Sequence, residues 1–258
     1  MSKPKYLSGK KFERIVFLPD VHAGADDVNA IKLAMNCIKY LKPDRIVQLG
    51  DFLDFYSLSS YATNPDLPVA RLKNELNRAS IILDAIHDAA PRARKQMIKG
   101  NHEERMDKWL QSKAPGLIGL DQLELPRLLD LYHHGWEPRL YDSISLCRGV
   151  FHATHGSIIR SDAGASAKAE MLRFMSSGIS GHTHRAAQFF HRSQTGLMTW
   201  VECGHLSMNP PNWKTQVQNW QQAMAFGEFE YDGSSFEVHL IPFTLNYKAR
   251  IEGKEITV

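Results

Sequence analysis

The chain has 258 residues, 43% of them hydrophobic and 23% charged, and its 31 basic and 28 acidic side chains leave a net charge of +3. That is the balance of an ordinary globular protein long enough to bury a large core. The charge is compatible with a phosphate-bearing substrate without demanding nucleic acid. No run reaches the roughly 18 apolar residues of a membrane helix, and the basic N-terminus lacks the apolar stretch of a signal peptide. Cys37, Cys147 and Cys203 are scattered, with no CxxC pair. They read as reduced thiols, and the expected location is cytoplasmic.

Residues 1–12 read as a solvated basic arm, and 13–258 as a single domain. The first predicted strand is 14–19 (RIVFLP). A helix follows over 26–41, with Asp26 or Asp27 suited to its cap. A second apolar strand, 44–50, ends on glycine. The next helix, 69–90, sets Leu72, Leu76, Ala79, Leu83 and Ile86 on one face. Residues 94–100 form a third strand and 103–112 a further helix. This alternation predicts parallel strands covered by helices. Beyond it come a strand at 149–156, a small-residue helix at 162–175 and a short strand over 177–184. From Arg185 the texture is strand-rich, with strands at 187–193 and 197–204 and a final pair joined at Asp232-Gly233. Two long insertions, 55–69 and 112–138, are placed at the rim, where loops set specificity. The first is expected to form a wall of the cleft.

Five predicted strands end in polar clusters of one kind: DVH (Asp20, His22), GDFLD (Asp51, Asp54), GNHE (Asn101, His102), THG (His155) and GHTH (His182, His184). Ligands of open α/β sheets bind beyond the carboxyl ends of the strands. Parallel neighbours would therefore bring all five clusters to one rim. Carboxylates mixed with imidazoles suit divalent first-row metals. Seven donors exceed one site but fit two ions about 3.5–4 Å apart that share a carboxylate, a clamp for displacement at phosphorus. Gly50, Gly100 and Gly181 each precede a donor, where a missing Cβ permits a close approach.

In this order the five blocks resemble the signature of the calcineurin-like metallophosphoesterases, over residues 20–184. AKAEM and SGISGHTHR are also similar to metallophosphoesterases of bacteriophages. The resemblance implies an α/β fold, a four-layer α-β-β-α sandwich with mixed sheets. It implies a first metal on Asp20, His22 and His184, a second on Asn101, His155 and His182, and Asp51 bridging them. A hydroxide between the metals would attack phosphorus in line. His102 would protonate or stabilise the leaving oxygen, with Asp54 orienting it. The cofactors would be two divalent cations, manganese first, with Fe, Zn, Ni or Co as alternatives.

Other residues carry weaker expectations. Arg105 and Arg185 follow motifs closely and are candidates for contacting the phosphate, as is His205 (ECGHLS) from a later loop. Glu103 and Glu104 are read as acids at a helix N-terminus. Trp136, Trp200, Trp213 and Trp220 are assigned to core or rim, with stacking on a base as the alternative. GNHE is similar to the protein phosphatases, but GDFLDFYS lacks the Arg-Gly pair that follows the second aspartate there, and GHTH matches the phosphodiesterase-like branch. The expected activity is a phosphodiesterase, nuclease-like, acting on DNA or another nucleotide-containing ester. The alternatives are a phosphomonoesterase acting on a nucleotide or phosphoprotein, and a non-catalytic scaffold.

Overall fold

In the computed structural model, which describes residues 11–59, 71–194, 196–209 and 218–258, two β-sheets face each other and helices cover both outer surfaces. The first sheet is built on β1 (Phe12–Leu18), β2 (Arg45–Gln48), β3 (Arg94–Ile98) and the short β4 (Leu140–Tyr141), parallel neighbours in that order. On the other side of β1, β10 (Ala223–Glu230) pairs antiparallel, and β11 (Phe236–Pro242) pairs antiparallel with β10. The second sheet holds β5 (Ser143–Leu146), β6 (Phe151–Thr154), β7 (Ser177–Ser180), β9 (Gly196–Cys203) and β8 (Ala186–Ser193), side by side in that order. Its three central strands, β6, β7 and β9, are parallel.

The strand pattern explains the layers. Successive side chains point to opposite faces of a strand. In β1, Ile15 and Phe17 therefore join the core between the sheets, with Val47, Leu49, Phe151, Ile179 and Val201. Val16 and Leu18 face the helices instead. Burial on both faces is why these strands read as continuous apolar runs rather than alternating ones. On that outer side lie α1 (Val28–Leu41) and α2 (Leu72–Ala89), with Leu33, Ile38, Leu83 and Ile86 in the core. On the far side of the second sheet, α5 (Ala165–Phe174) packs Ala167 and Met171 on Trp200. The result is the α-β-β-α sandwich with mixed sheets. A C-terminal hairpin of β12 (Lys248–Ile251) and β13 (Lys254–Thr257) adds Ala249, Ile251 and Ile256 to the helix-side core.

Two expectations need correction. The strands of the five blocks do not share one sheet: β1, β2 and β3 belong to the first, β6 and β7 to the second. The insertion 112–138, which includes the end of α3 (Glu104–Lys113) and α4 (Leu125–Leu128), docks on α2 rather than rimming the cleft. Leu125, Leu129, Leu131 and Trp136 enter the helix-side core, and His134 Nδ1 lies 2.7 Å from Asp84. Of the two expected cap candidates, Asp27 caps α1, accepting from the N–H groups of Asn29 and Ala30 at 2.9 and 3.2 Å. Asp26 is claimed by Arg78 of α2 at 2.5 Å. Of the expected cleft wall, residues 60–69 lie outside the described residues, as do 1–10 of the arm and Trp213. No helix among the described residues is long and apolar enough to cross a membrane.

The one part of that expected wall that is described has an unusual support. Phe55 is fully buried in the left-handed region (φ 48°), and its N–H donates to Glu75 Oε1 at 2.5 Å. Burial, with Asp54 and Glu103 nearby, pushes the Glu75 carboxyl up to about 8. A folded-state pKa above the unfolded value means that stability from this group is complete below pH 4.5 and is lost as pH rises through 8. Glu75→Gln is therefore expected to be more favourable relative to wild type at pH 8.5 than at pH 5. Thermal melts at the two pH values check this, and parallel behaviour of the two proteins would refute it.

Candidate metal centre

The carboxyl ends of six parallel strands, three per sheet, meet at one rim. Asp20 and His22 follow β1, Asp51 and Asp54 follow β2, and Asn101 and His102 follow β3. Across from them, His155 follows β6 and His182 and His184 follow β7. The sixth strand, β9, adds His205. Its loop seals the join between the sheets: Asp20 and His205 form a parallel bridge, and the Leu206 N–H donates to the Asp20 carbonyl at 2.8 Å.

The backbone here is strained. His22, Asp51, His182 and His184 all have φ between 49° and 70°, a region that residues with a Cβ adopt at a cost of roughly 1–3 kcal/mol each. Such residues cluster where function over-determines the geometry. Two glycines explain how the loops can close in. A methyl at Gly100 would overlap the Asp51 carboxylate, and one at Gly181 would overlap Asp20 Oδ1.

Two donor triads result, Asp20–His22–His184 and Asp51–His155–His182, and a third grouping links His22, Asp51 and His102. His22 Nε2 is 3.0 Å from His184 Nε2, which is 3.2 Å from Asp20 Oδ2. In the second triad His155 Nε2 lies 3.2 Å from His182 Nδ1, 3.0 Å from Asn101 Oδ1 and 3.4 Å from Asp51 Oδ2. Asp51 Oδ2 is central, since His22 Nε2 and His102 Nε2 are also 3.9 and 3.8 Å away. The other oxygen of each aspartate is fixed by backbone. The His102 N–H donates to Asp51 Oδ1 at 2.9 Å, and the His182 N–H to Asp20 Oδ1 at 3.1 Å. Asp20 Oδ2 is buried with no well-directed hydrogen bond, its neighbour being His184 Nε2 at 3.2 Å. Buried acceptors of this kind need a cation or a donor, and the donor set suits divalent first-row metal ions.

The outer ring nitrogens orient the imidazoles, as is usual for metal-site histidines. His155 Nδ1–H donates to the Leu49 carbonyl at 2.9 Å, and His22 Nδ1–H to Asp54 Oδ1 at 3.0 Å. Asp54 also receives His102, whose Nδ1 is 3.0 Å from Oδ1 and 2.8 Å from the backbone carbonyl. His102 differs from the other imidazoles at its inner nitrogen, because Arg105 Nη2–H donates to Nε2 at 3.1 Å. A permanent guanidinium there competes with any metal ion.

Electrostatics fit the same picture. For Asp51, burial alone would raise the pKa, but His155, His22 and His102 outweigh it and hold the carboxyl well below its usual range. For His155, burial works downward and is outweighed by Asp51 and Asp20, leaving it raised to about 9. His22 likewise reaches about 9 through Asp54 and Asp51. Burial and the neighbouring His155 push His182 down. Cations bound at the triads would take over the charge now carried by two imidazolium groups. Manganese binding to chelator-treated protein at pH 7.5 should therefore release about two protons. Calorimetry in two buffers of different ionisation enthalpy measures this, and zero release would mean that both rings are already neutral.

The remaining sequence candidates divide. Arg185 lines a cavity of about 690 Å3 beside the donors, with its guanidinium donating to the Arg160 carbonyl. Arg105 instead lies against His102 and the Asp54 carbonyl, 2.8 Å from the latter. His205 is fully buried, its ring stacked on His184 at 4.9 Å and 17°, with Ser207 Oγ 2.8 Å from Nδ1. It touches a cluster residue rather than the cavity.

Buried glutamates are what sequence reasoning missed. Glu104 does sit in the first turn of α3, as expected, paired with Lys108 at 2.7 Å. Glu103 stands at the N-cap of α3, as expected of a helix N-terminal acid, but its side chain is not spent on the helix. It is 2% exposed, and its carboxylate accepts the N–H groups of Gly100, Asp51 and Leu53 at 2.7, 2.9 and 2.9 Å. Glu202 of β9 accepts the Gly164 N–H at 2.5 Å and the Thr183 hydroxyl at 2.8 Å, pinning the residue between His182 and His184. Glu170 of α5 accepts from Ser157 and Ile158, just past His155, at 2.7 and 3.0 Å. The available signal was an acid set in an apolar strand, TWVEC, or directly after GNH.

Sandwich and rim together define a class: an α/β protein that gathers Asp, Asn and His donors between the ends of two facing sheets. The model of the calcineurin-like phosphoesterases matches residues 13–186, and the chain belongs to that family. The Gene 54 proteins of Mycobacterium phages D29 and L5 are 28% and 26% identical to it over 244 and 247 residues, which cover 89% of this chain and 93% of each relative. Among solved structures, Vps29 of Chaetomium thermophilum superposes with a TM-score of 0.52 at 10% identity, over 95% of this chain and 98% of that one. Vps29 of Cryptosporidium parvum gives 0.47 at 9% identity, over 95% of each chain. These structural likenesses concern the fold alone.

Proposed function

We propose that the protein is a phosphodiesterase that works with two divalent cations, manganese by preference. Asp20, His22 and His184 would hold one and Asn101, His155 and His182 the other, with the Asp51 carboxylate available to both. When bound, the pair supplies Lewis acidity toward the phosphoryl oxygens and a nucleophile near neutral pH. The protein's own groups do the rest. Asp54 takes the Nδ1–H of His102 and fixes its tautomer, so that Nε2 is the nitrogen that exchanges a proton with the leaving oxygen. In the free protein Arg105 donates to Nε2, so that nitrogen carries no proton there; to protonate a leaving oxygen, Nε2 would first take a proton from solvent and the Arg105 N–H would turn away from it. Arg185, on the cavity wall, offers a cation to the non-bridging oxygens.

The observation that carries this reading is the central position of Asp51 Oδ2, 3.4–3.9 Å from three imidazole nitrogens contributed by both sheets. A complete donor set also supports an enzyme rather than a scaffold. Support for a diester comes from the space around the donors. Asn101 and His182 line both the 690 Å3 cavity and a second one of about 420 Å3, the latter with Lys99, Thr154 and Ser157. A diester has two arms to place, a monoester only one. The three cysteines are free, two of them fully buried, in keeping with a reducing cytoplasm.

With manganese present, bis-p-nitrophenyl phosphate should be turned over faster than p-nitrophenyl phosphate. The reverse preference would make the protein a monoesterase. Hydrolysis of neither, by protein that retains no manganese, would favour the scaffold.

A further inference from the structure

Trp220 carries an inference that rests on the phosphodiesterase reading of this cleft and extends it to the substrate. We infer that the larger cavity is a nucleobase subsite with Trp220 as its stacking platform, so that one arm of the ester is a nucleoside. The indole stands perpendicular to His184 (centroids 4.4 Å apart, 70°) and to the His205 ring stacked behind it (5.7 Å, 66°). It is braced against a residue of the donor cluster, and it also lines the cavity. A flat ring stacked on it is therefore held within one sugar's reach of a phosphate at the donors.

The other walls have matching chemistry. Ile159 and Met208 line the same cavity while 56% and 57% exposed, apolar surface left open at the mouth of a polar site. Asn209 and Gln218 add two exposed carboxamides, each with a donor and an acceptor, the groups that pair with base edges. Readers of unpaired bases combine these parts, with stacking between aromatic and apolar side chains and amide contacts to the base edge. An acyl chain would use the apolar walls but neither amide. The weak net charge of +3 favours a short nucleotide arm over a long duplex, whose affinity depends on many phosphate contacts.

The test compares two ligands that differ only in the base, adenosine 5′-monophosphate and ribose 5-phosphate, by calorimetry on the manganese-loaded full chain. Wild type should bind the nucleotide about tenfold more tightly, Trp220→Phe should keep most of that ratio, and Trp220→Leu should bring it to within about twofold. Leucine fills the space without a π-face, and thermal melts confirm that each variant is folded. Equal affinities in wild type, or a ratio unmoved in Trp220→Leu, would overturn the subsite. Turnover of bis-p-nitrophenyl phosphate by the same wild-type sample separates the two claims. Hydrolysis without a base preference removes the subsite and leaves the diesterase. A Trp220-dependent base preference without hydrolysis does the opposite.

Discussion

His102→Ala is expected to slow the cleavage of a diester with an alkoxide leaving group, such as a dinucleotide, by roughly 10²–10⁴-fold. The same variant should cleave bis-p-nitrophenyl phosphate at close to the wild-type rate. The difference lies in the leaving group. A sugar alkoxide is too basic to depart unprotonated, whereas p-nitrophenolate is stable near neutral pH. On the proposed reading His102, once protonated at Nε2, serves the first task and does not bind metal. Its Nδ1 is held by Asp54, and Arg105 donates to its Nε2 at 3.1 Å. Yet that same Nε2 is only 3.8 Å from Asp51 Oδ2, close enough for a third ligand. Manganese-dependent kcat for both esters separates the roles. Equal losses on the two substrates, together with weaker manganese binding, would make His102 a ligand and remove the acid role.

The second large effect concerns stability. Glu103 ties the loop after β3 to the loop after β2 by accepting the N–H groups of Asp51 and Leu53, both at 2.9 Å, and it also accepts the Gly100 N–H of its own loop at 2.7 Å. Alanine would leave three buried donors unpaired. At about 1–3 kcal/mol for each orphaned group, that is a loss of several kcal/mol, and a fall in Tm on the order of 10 °C. Manganese affinity should fall with it, because Asp51 and Asn101, proposed here as metal donors, sit on those two loops. Glu103→Gln should be intermediate, since its one carbonyl oxygen can replace only one of the two carboxylate oxygens. Melting curves and manganese titrations of the two variants test the idea. A fall below about 2 °C in the alanine variant, with manganese binding intact, would show that water can stand in for the carboxylate.

The gathering of Asp, Asn and His side chains at one rim was legible because each of them follows its strand within a few residues. A strand fixes where its carboxyl end lies, so DVH, GDFLD, GNHE, THG and GHTH could be placed at strand ends from local pattern alone. The glycines were legible for the same local reason. Asp54 was only half legible: its link to His102 was expected, and its second bond, to His22 at 3.0 Å, was not. The edge strands β4 and β5 and the closing hairpin β12–β13 escaped because two to four residues carry too little periodicity to register.

By itself, then, the sequence determined that the Asp, Asn and His side chains of five short blocks lie at strand ends, and that βα units open the chain. Tertiary structure decided the rest. It divided the donor-bearing strands between two facing sheets, buried His205 behind His184, and carried the insertion 112–138 away from the cleft. It also turned Glu103 from a helix acid into a clamp across some fifty residues of chain. The physical reason is common to all of these. A ligand's place at a strand end follows from its chain neighbours. The partner of a buried carboxylate, or the face on which a loop docks, follows from which distant segments packing brings within 3 Å.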